Sequence, residues 1–223
     1  MNKEIEENAE LESEYHTLFK KVQKEKYIKK GNKYKKIEAC TKYRIFIDTF
    51  GEKEKGLHKI FNELWSSNKN DYLEIRINSR GGYVNEGAQF WNLINNKFNK
   101  RCTTYLDNCG FSMGALLFSM GHKRVITERS ELMYHDYSGA VWGKAGEQKA
   151  QFEHTSKHIR KFFKDVILDK KFLTKKEFKQ MCIGEDFWMG PKELCERGIA
   201  THILVNGKEI TAKKYLKSLK SIK

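Results

Sequence analysis

A chain of 223 residues carrying 43 Lys and Arg against 29 Asp and Glu has a formal charge of +14 and is long enough for one full core with appendages. It contains no run of about eighteen apolar residues, which excludes a membrane-spanning helix. Its acidic opening, MNKEIEENAELESEYH, lacks the basic-then-apolar order of a signal peptide. The lysines are spread through nearly every polar segment, so the charge reads as a solvated surface, and nucleic acid is not expected as a partner. The basic runs KKVQKEKYIKKGNKYKK and KKYLKSLKSIK are the local exceptions. Five cysteines, odd in number and without C-x-x-C spacing, read as free thiols in a reducing compartment such as the cytoplasm.

In chain order, residues 1–40 read as a charged arm, acidic and then basic. The spacing of Leu18, Phe19, Val22 and Tyr27 predicts a helix or a partly ordered arm outside the core. The main domain is expected over 41–206. Tyr43 to Asp48 reads as a buried strand, and Leu57, Ile60, Phe61, Leu64 and Trp65 form a helical stripe. In YLEIRINS, Leu73, Ile75 and Ile77 alternate with Glu74 and Arg76, which predicts a strand. After RGG comes the amphipathic EGAQFWNLINNKF, then the strand candidate CTTYLD, a helix from near Ser112, and two short strands in RVITERSELMYHD. A long helical stretch follows AGEQ, with Phe152, Ile159, Phe162, Phe163, Val166 and Ile167 near one face. Residues 207–223 read as a basic tail. Strands alternating with helices give an α/β fold of ββα or βαβ units.

Gly110-Phe111-Ser112-Met113-Gly114 matches the G-x-S-x-G nucleophile elbow, a pattern that is weak alone. A serine hydroxyl needs a base to take its proton, an acid to orient that base, and fixed N–H donors for the oxyanion. Ser112 falls where strand gives way to helix, so the Met113 amide opens the first turn. A second donor is expected from NSRGG, another strand–glycine–helix junction.

Of seven histidines, His16 lies in the arm, His58 on a polar helix face and His122 in a loop. His154 and His158 have the i, i+4 spacing of a zinc pair, yet no further ligand accompanies them, so neither metal nor other cofactor is expected. His135 ends the strand-like ELMY, where a parallel α/β fold displays working residues. Two constellations remain: Ser112 and His135 with a later acid, or the α/β-hydrolase order, which Asp186 and His202 could complete. The second lacks an HGGG-type segment.

These residues resemble the ClpP family of serine peptidases, within the ClpP/crotonase fold, from about Tyr43 to Leu204. YLEIRINSRGGYVNEG is similar to the family's strand, glycine turn and helix. GFSMGALLFSMG is similar to its nucleophile segment, ELMYHD to its base segment, and EDFWMGPKELCERGIA to the segment holding its acid. The resemblance implies repeated ββα units with a protruding handle helix, here about Gln148–Leu168 within a 145–180 handle region. It implies Ser112, His135 and Asp186 as triad, and the Gly82 and Met113 amides as oxyanion donors. It also implies polypeptide as substrate, stacked homo-oligomeric rings of six or seven, and room for a separate AAA+ unfoldase ATPase. Arg80 stands where the family usually has proline, Glu185 where arginine is common, and Thr201 where aspartate is common. These departures, with the unusual arm, keep two other readings open: a silent ring-forming scaffold and a phage-encoded head-maturation protease, the latter acting in host cytoplasm. A crotonase-type enzyme for acyl thioesters shares the fold but does not require the triad.

Overall fold

Backbone amides at an open sheet edge need partners, and the first part of the chain supplies them. The computed structural model describes residues 8–12, 17–24, 26–30, 33–48, 50 and 57–221. In it β1 (Asn8–Glu12) pairs antiparallel with β2 (Thr17–Gln23), and β3 (Lys26–Lys30) with β4 (Lys33–Ile37). β2 in turn lies antiparallel on β5 (Cys40–Ile47), from Leu18 opposite Ile45 to Gln23 opposite Cys40. The helical reading of the arm is therefore corrected: where it is described it is mostly strand, and Leu18 is fully buried in the core. A separation of four, as between Leu18 and Val22, fits a helical face and equally one face of a strand. The free edge of β5 decides between them. His16 lies outside the described residues.

Helix α1 (Leu57–Trp65) buries Leu57, Ile60, Phe61 and Leu64, while Trp65, read as part of the stripe, stays exposed. β6 (Tyr72–Ser79) inserts Leu73, Ile75 and Ile77 into the core, as its alternation requires. α2 (Val84–Lys97), β7 (Cys102–Phe111), α3 (Met113–Met120), β8 (Lys123–Thr127) and β9 (Glu131–Tyr134) follow. Strands β5, β6, β7 and β8 run parallel, and their apolar faces meet the buried sides of α1, α2 and α3 in one core. The other face carries polar cross-strand contacts, Arg44 with Glu74 and Arg76 with Asp107, and the Arg76 guanidinium lies 4.8 Å from the Tyr105 ring centre.

β7 is the pivot. Its first half, Thr103–Leu106, pairs with β8, and its last three residues, Cys109–Phe111, pair with β9. The fork opens just before Ser112.

α4 (Ala145–Phe163) spans about 28 Å at 1.5 Å per residue and is mostly exposed until Phe162 and Phe163. Its path continues through a π-helical turn over Lys164–Leu168, where the Asp169 amide donates to the Lys164 carbonyl at 2.9 Å. α5 (Lys175–Met181) begins at a Thr174/Glu177 capping box. β10 (Phe187–Met189) then pairs antiparallel with β9, and after α6 (Pro191–Glu196), β11 (His202–Val205) runs parallel to β8. The basic tail expected over 207–223 instead forms β12 (Lys208–Thr211), antiparallel to β11, and α7 (Ala212–Lys220), whose Tyr215 and Leu216 pack on the core. Among the described residues no helix is long and apolar enough to cross a membrane.

Candidate active site

Ser112 occupies a corner that side chains rarely accept, with φ 54° and ψ −122°. Its amide donates to the Met133 carbonyl of β9 at 3.0 Å, and its carbonyl accepts from Ala115 and Leu116 in the first turn of α3. The surroundings admit no bulk at Gly114, where a Cβ would stand 2.8 Å from the Ser79 carbonyl oxygen, whereas one on Gly110 would meet only the end of the Leu106 side chain, at 2.7 Å. The far end of α3 is equally fixed: Thr104 Oγ1, Lys170 Nζ and Arg124 Nη1 donate to the carbonyls of Phe118, Ser119 and Gly121, each at 2.7 Å. Two of these donors are cations at a helix C-terminus, where the dipole favours them. Burial, with Arg124 nearby, pushes the Lys170 amine down to about 8.

The glycine turn after β6 comes against this corner. Gly81 has φ 111°, and a Cβ there would lie 2.7 Å from the Ser112 Cβ and 3.2 Å from the Met113 nitrogen. Gly82, at φ 140°, bridges to Phe50, whose carbonyl oxygen would be 1.8 Å from a Cβ. The Phe50 carbonyl takes the Tyr83 amide at 3.0 Å, while the amides of Gly82 and Met113 have no hydrogen-bond partner among the described residues.

A cavity of about 60 Å³ joins these parts. Ser112, Met113, Gly82 and His135 all line it, with Val84 and Leu116 among its apolar walls. Phe163 and Ile167, from the handle end and the π-turn, close another side; their apolar spacing identified them only as core. Tyr134, also in the wall, is fully buried, and burial raises its phenol well above the ordinary range. Its hydroxyl meets Ser119 Oγ at 2.5 Å, and that serine also reaches the Ala115 carbonyl, so α3 and β9 are bonded through side chains as well as backbone.

His135 is the first residue beyond β9 and is half-buried. Asp186 is the residue before β10, and the β9–β10 register, Phe187 opposite Tyr134, carried one step further puts Asp186 across from His135. Asp186 is exposed and is not part of the cavity wall. Among the described residues no hydrogen bond joins Ser112 to His135 or His135 to Asp186. The neighbouring Asp136 is occupied otherwise: its Oδ1 accepts the Tyr137 amide at 3.0 Å and its Oδ2 pairs with Arg160 at 3.2 Å.

The remaining candidates separate from the cavity. His202 lies in β11 and does not line it, so the Ser112–Asp186–His202 order is not assembled. His58 is exposed on α1, and the Lys100 amide donates to the His122 ring. His154 and His158 stack with parallel rings 6.4 Å apart on exposed α4, and no cluster of three metal-ligating side chains exists among the described residues. All five cysteines are free; burial pushes Cys102 up to about 12, an unreactive thiol. Arg80 and Glu185 are exposed, and Thr201 bonds both the amide and the carbonyl of Arg124.

The family model for Clp protease matches residues 28–207. The chain belongs to the Clp protease family. Curated relatives in this family include ATP-dependent Clp protease proteolytic subunit 2 of Chlamydia pneumoniae and of Chlamydia trachomatis. Each is 28% identical over 153 residues, covering 66% of this chain and 71% of the relative. Proteolytic subunit 1 of Chlamydia felis is 26% identical over the same shares. The mixed α/β architecture with its mostly parallel sheet agrees with that membership, and the Clp match takes in β4 and most of β3 as well as the main domain.

Proposed function

We propose that this Clp-family chain is a serine endopeptidase working through an acyl-enzyme. The observation that carries the reading is the shared cavity: a serine held at positive φ, a histidine at a strand end, and two residues whose amides have no partner among the described residues line the same small space. In this reading His135 takes the Ser112 proton as Oγ attacks the peptide carbonyl, and the Gly82 and Met113 amides donate to the developing oxyanion. His135 then returns the proton to the leaving amine, and water repeats the sequence on the ester. Asp186 orients the imidazole and stabilises its charged form. The β9–β10 register, which carried one step further sets Asp186 across from His135, supports this role, and an open geometry before substrate binds is common for such groups.

The oligomeric compartment is part of the same proposal. The relatives are named as proteolytic subunits of ATP-dependent proteases. By that likeness this chain forms stacked rings of six or seven copies in the cytoplasm, with ATP used by a separate unfoldase. A silent scaffold is the competing reading, favoured by the exposure of Asp186 and the absence of a bond from His135 to it.

The test is hydrolysis of unstructured peptides by the full chain, run with native mass spectrometry. Turnover that vanishes in Ser112→Ala, in particles of about twelve or fourteen subunits, is the expected result. Rings without turnover in the unaltered protein would establish the scaffold instead.

A further inference from the structure

Ser156 and Arg160 stand four residues apart on α4 and so share one face. That face grips the loop after His135 at two points: the Ser156 hydroxyl bonds the Tyr137 hydroxyl, and Arg160 Nη2 donates to Asp136 Oδ2 at 3.2 Å. The same guanidinium nitrogen donates at 2.8 Å to the carbonyl of Cys182. Cys182 caps the C-terminal end of α5 and stands four residues before Asp186, across a turn through Gly184 at φ 105°. One side chain on the handle thus bonds both the segment bearing the proposed base and the segment bearing the proposed acid. Asp136 also accepts the Tyr137 amide at 3.0 Å, so the carboxylate shapes the turn that the guanidinium holds. Tyr137 itself lines the cavity beside Ser112.

We propose that Arg160 is a positioning residue, a clamp that sets the His135 loop against the Asp186 loop from the handle helix. This rests on the peptidase reading above. A planar guanidinium suits the task because it offers several donors in fixed directions, whereas a lysine is a single point charge on a flexible stem. The link also gives the handle mechanical access to the chemistry: a shift of α4 by a fraction of a turn displaces both loops together, and misplacement by about 1 Å can cost about a hundredfold in rate.

The full chain is compared as Arg160→Met, Arg160→Lys and Asp136→Asn. The measurements are the rate of fluorophosphonate labelling, kcat and KM on a short peptide, hydrogen exchange at residues 135–138 and 183–186, and the melting temperature. Arg160→Met is expected to slow labelling and lower kcat by about tenfold or more, with KM within about twofold, and to speed exchange in both loops. Arg160→Lys recovers only part of this. Asp136→Asn speeds exchange at 135–138 and leaves 183–186 as it was; with the lysine variant it carries the test should Arg160→Met fail to fold. A lower melting temperature with labelling and kcat within about twofold of the unaltered chain would make Arg160 a surface stabiliser and overturn the proposal. An unaltered chain that is never labelled would remove the peptidase reading instead, and the exchange pattern would still judge the clamp: unchanged exchange in both loops of Arg160→Met would overturn it.

Discussion

Ser112 on one hand and His135 with Asp186 on the other, the proposed nucleophile, base and acid, are held by different means. Around Ser112 the constraint is backbone: a positive-φ corner between β7 and α3, a hydrogen bond to β9, and glycines at Gly81 and Gly114 that leave no room for a Cβ. Around His135 and Asp186 the constraint is side-chain: Arg160, Asp136, Ser156 and Tyr137 join two loops to an exposed helix. A backbone corner wedged in a core has one stable arrangement. Loops held by a few partly exposed polar contacts open at lower cost. The proposed nucleophile is therefore set by folding, and the proposed base and acid are left free to be adjusted.

The sharpest way to break this contrast is on the proposed acid. Asp186→Asn should reduce turnover on the order of 10⁴, the loss seen when the aspartate of a serine-protease triad is amidated, while labelling of Ser112 persists at a low rate. A change below about tenfold would move the acid's role elsewhere, with Asp136, next to His135 in the chain, the alternative carboxylate. On the other side, Gly81→Ala forces a Cβ to 2.7 Å from the Ser112 Cβ at a φ of 111°. Turnover should fall by about a hundredfold with the far-ultraviolet spectrum unchanged; full activity would show that the corner tolerates displacement.

The smallest effect concerns the anchoring of α3. Lys170 is held near 8 in the folded chain against an ordinary 10.5, so between those values the unfolded chain binds more protons. Stability then rises with pH through that window. Chemical denaturation should show the unaltered protein gaining on Lys170→Met from about pH 8 to pH 10.5, with the difference flat below pH 8. A gap that stays constant across the window would mean that the amine keeps its ordinary affinity for protons. The groups facing it are Arg124, His122, the Cys102 thiol and the Trp91 ring.

The same contrast decides what could be read beforehand. Glycine spacing at Gly81-Gly82 and Gly110-x-x-x-Gly114 reports backbone constraints directly, so the two junctions and Ser112 were visible in the letters. The alternation in β6 and the stripe on α1 were visible for the same reason: period is local. Arg160, Asp136, Ser156 and Tyr137 were not, because polar residues on a charged helix, or in the loop it meets, carry no pattern that distinguishes a clamp from solvent. The arm failed differently. Leu18 and Val22 have a spacing that strand and helix share, and only the unpaired edge of β5, far along the chain, selects strand.

All of this depends on Ser112 being the reactive hydroxyl. Intact mass spectrometry after treatment with a fluorophosphonate, followed by peptide mapping, tests it most directly. The account predicts one adduct per chain, located on Ser112 and lost in Ser112→Ala. An adduct on another residue, or full labelling of the alanine variant, would contradict it.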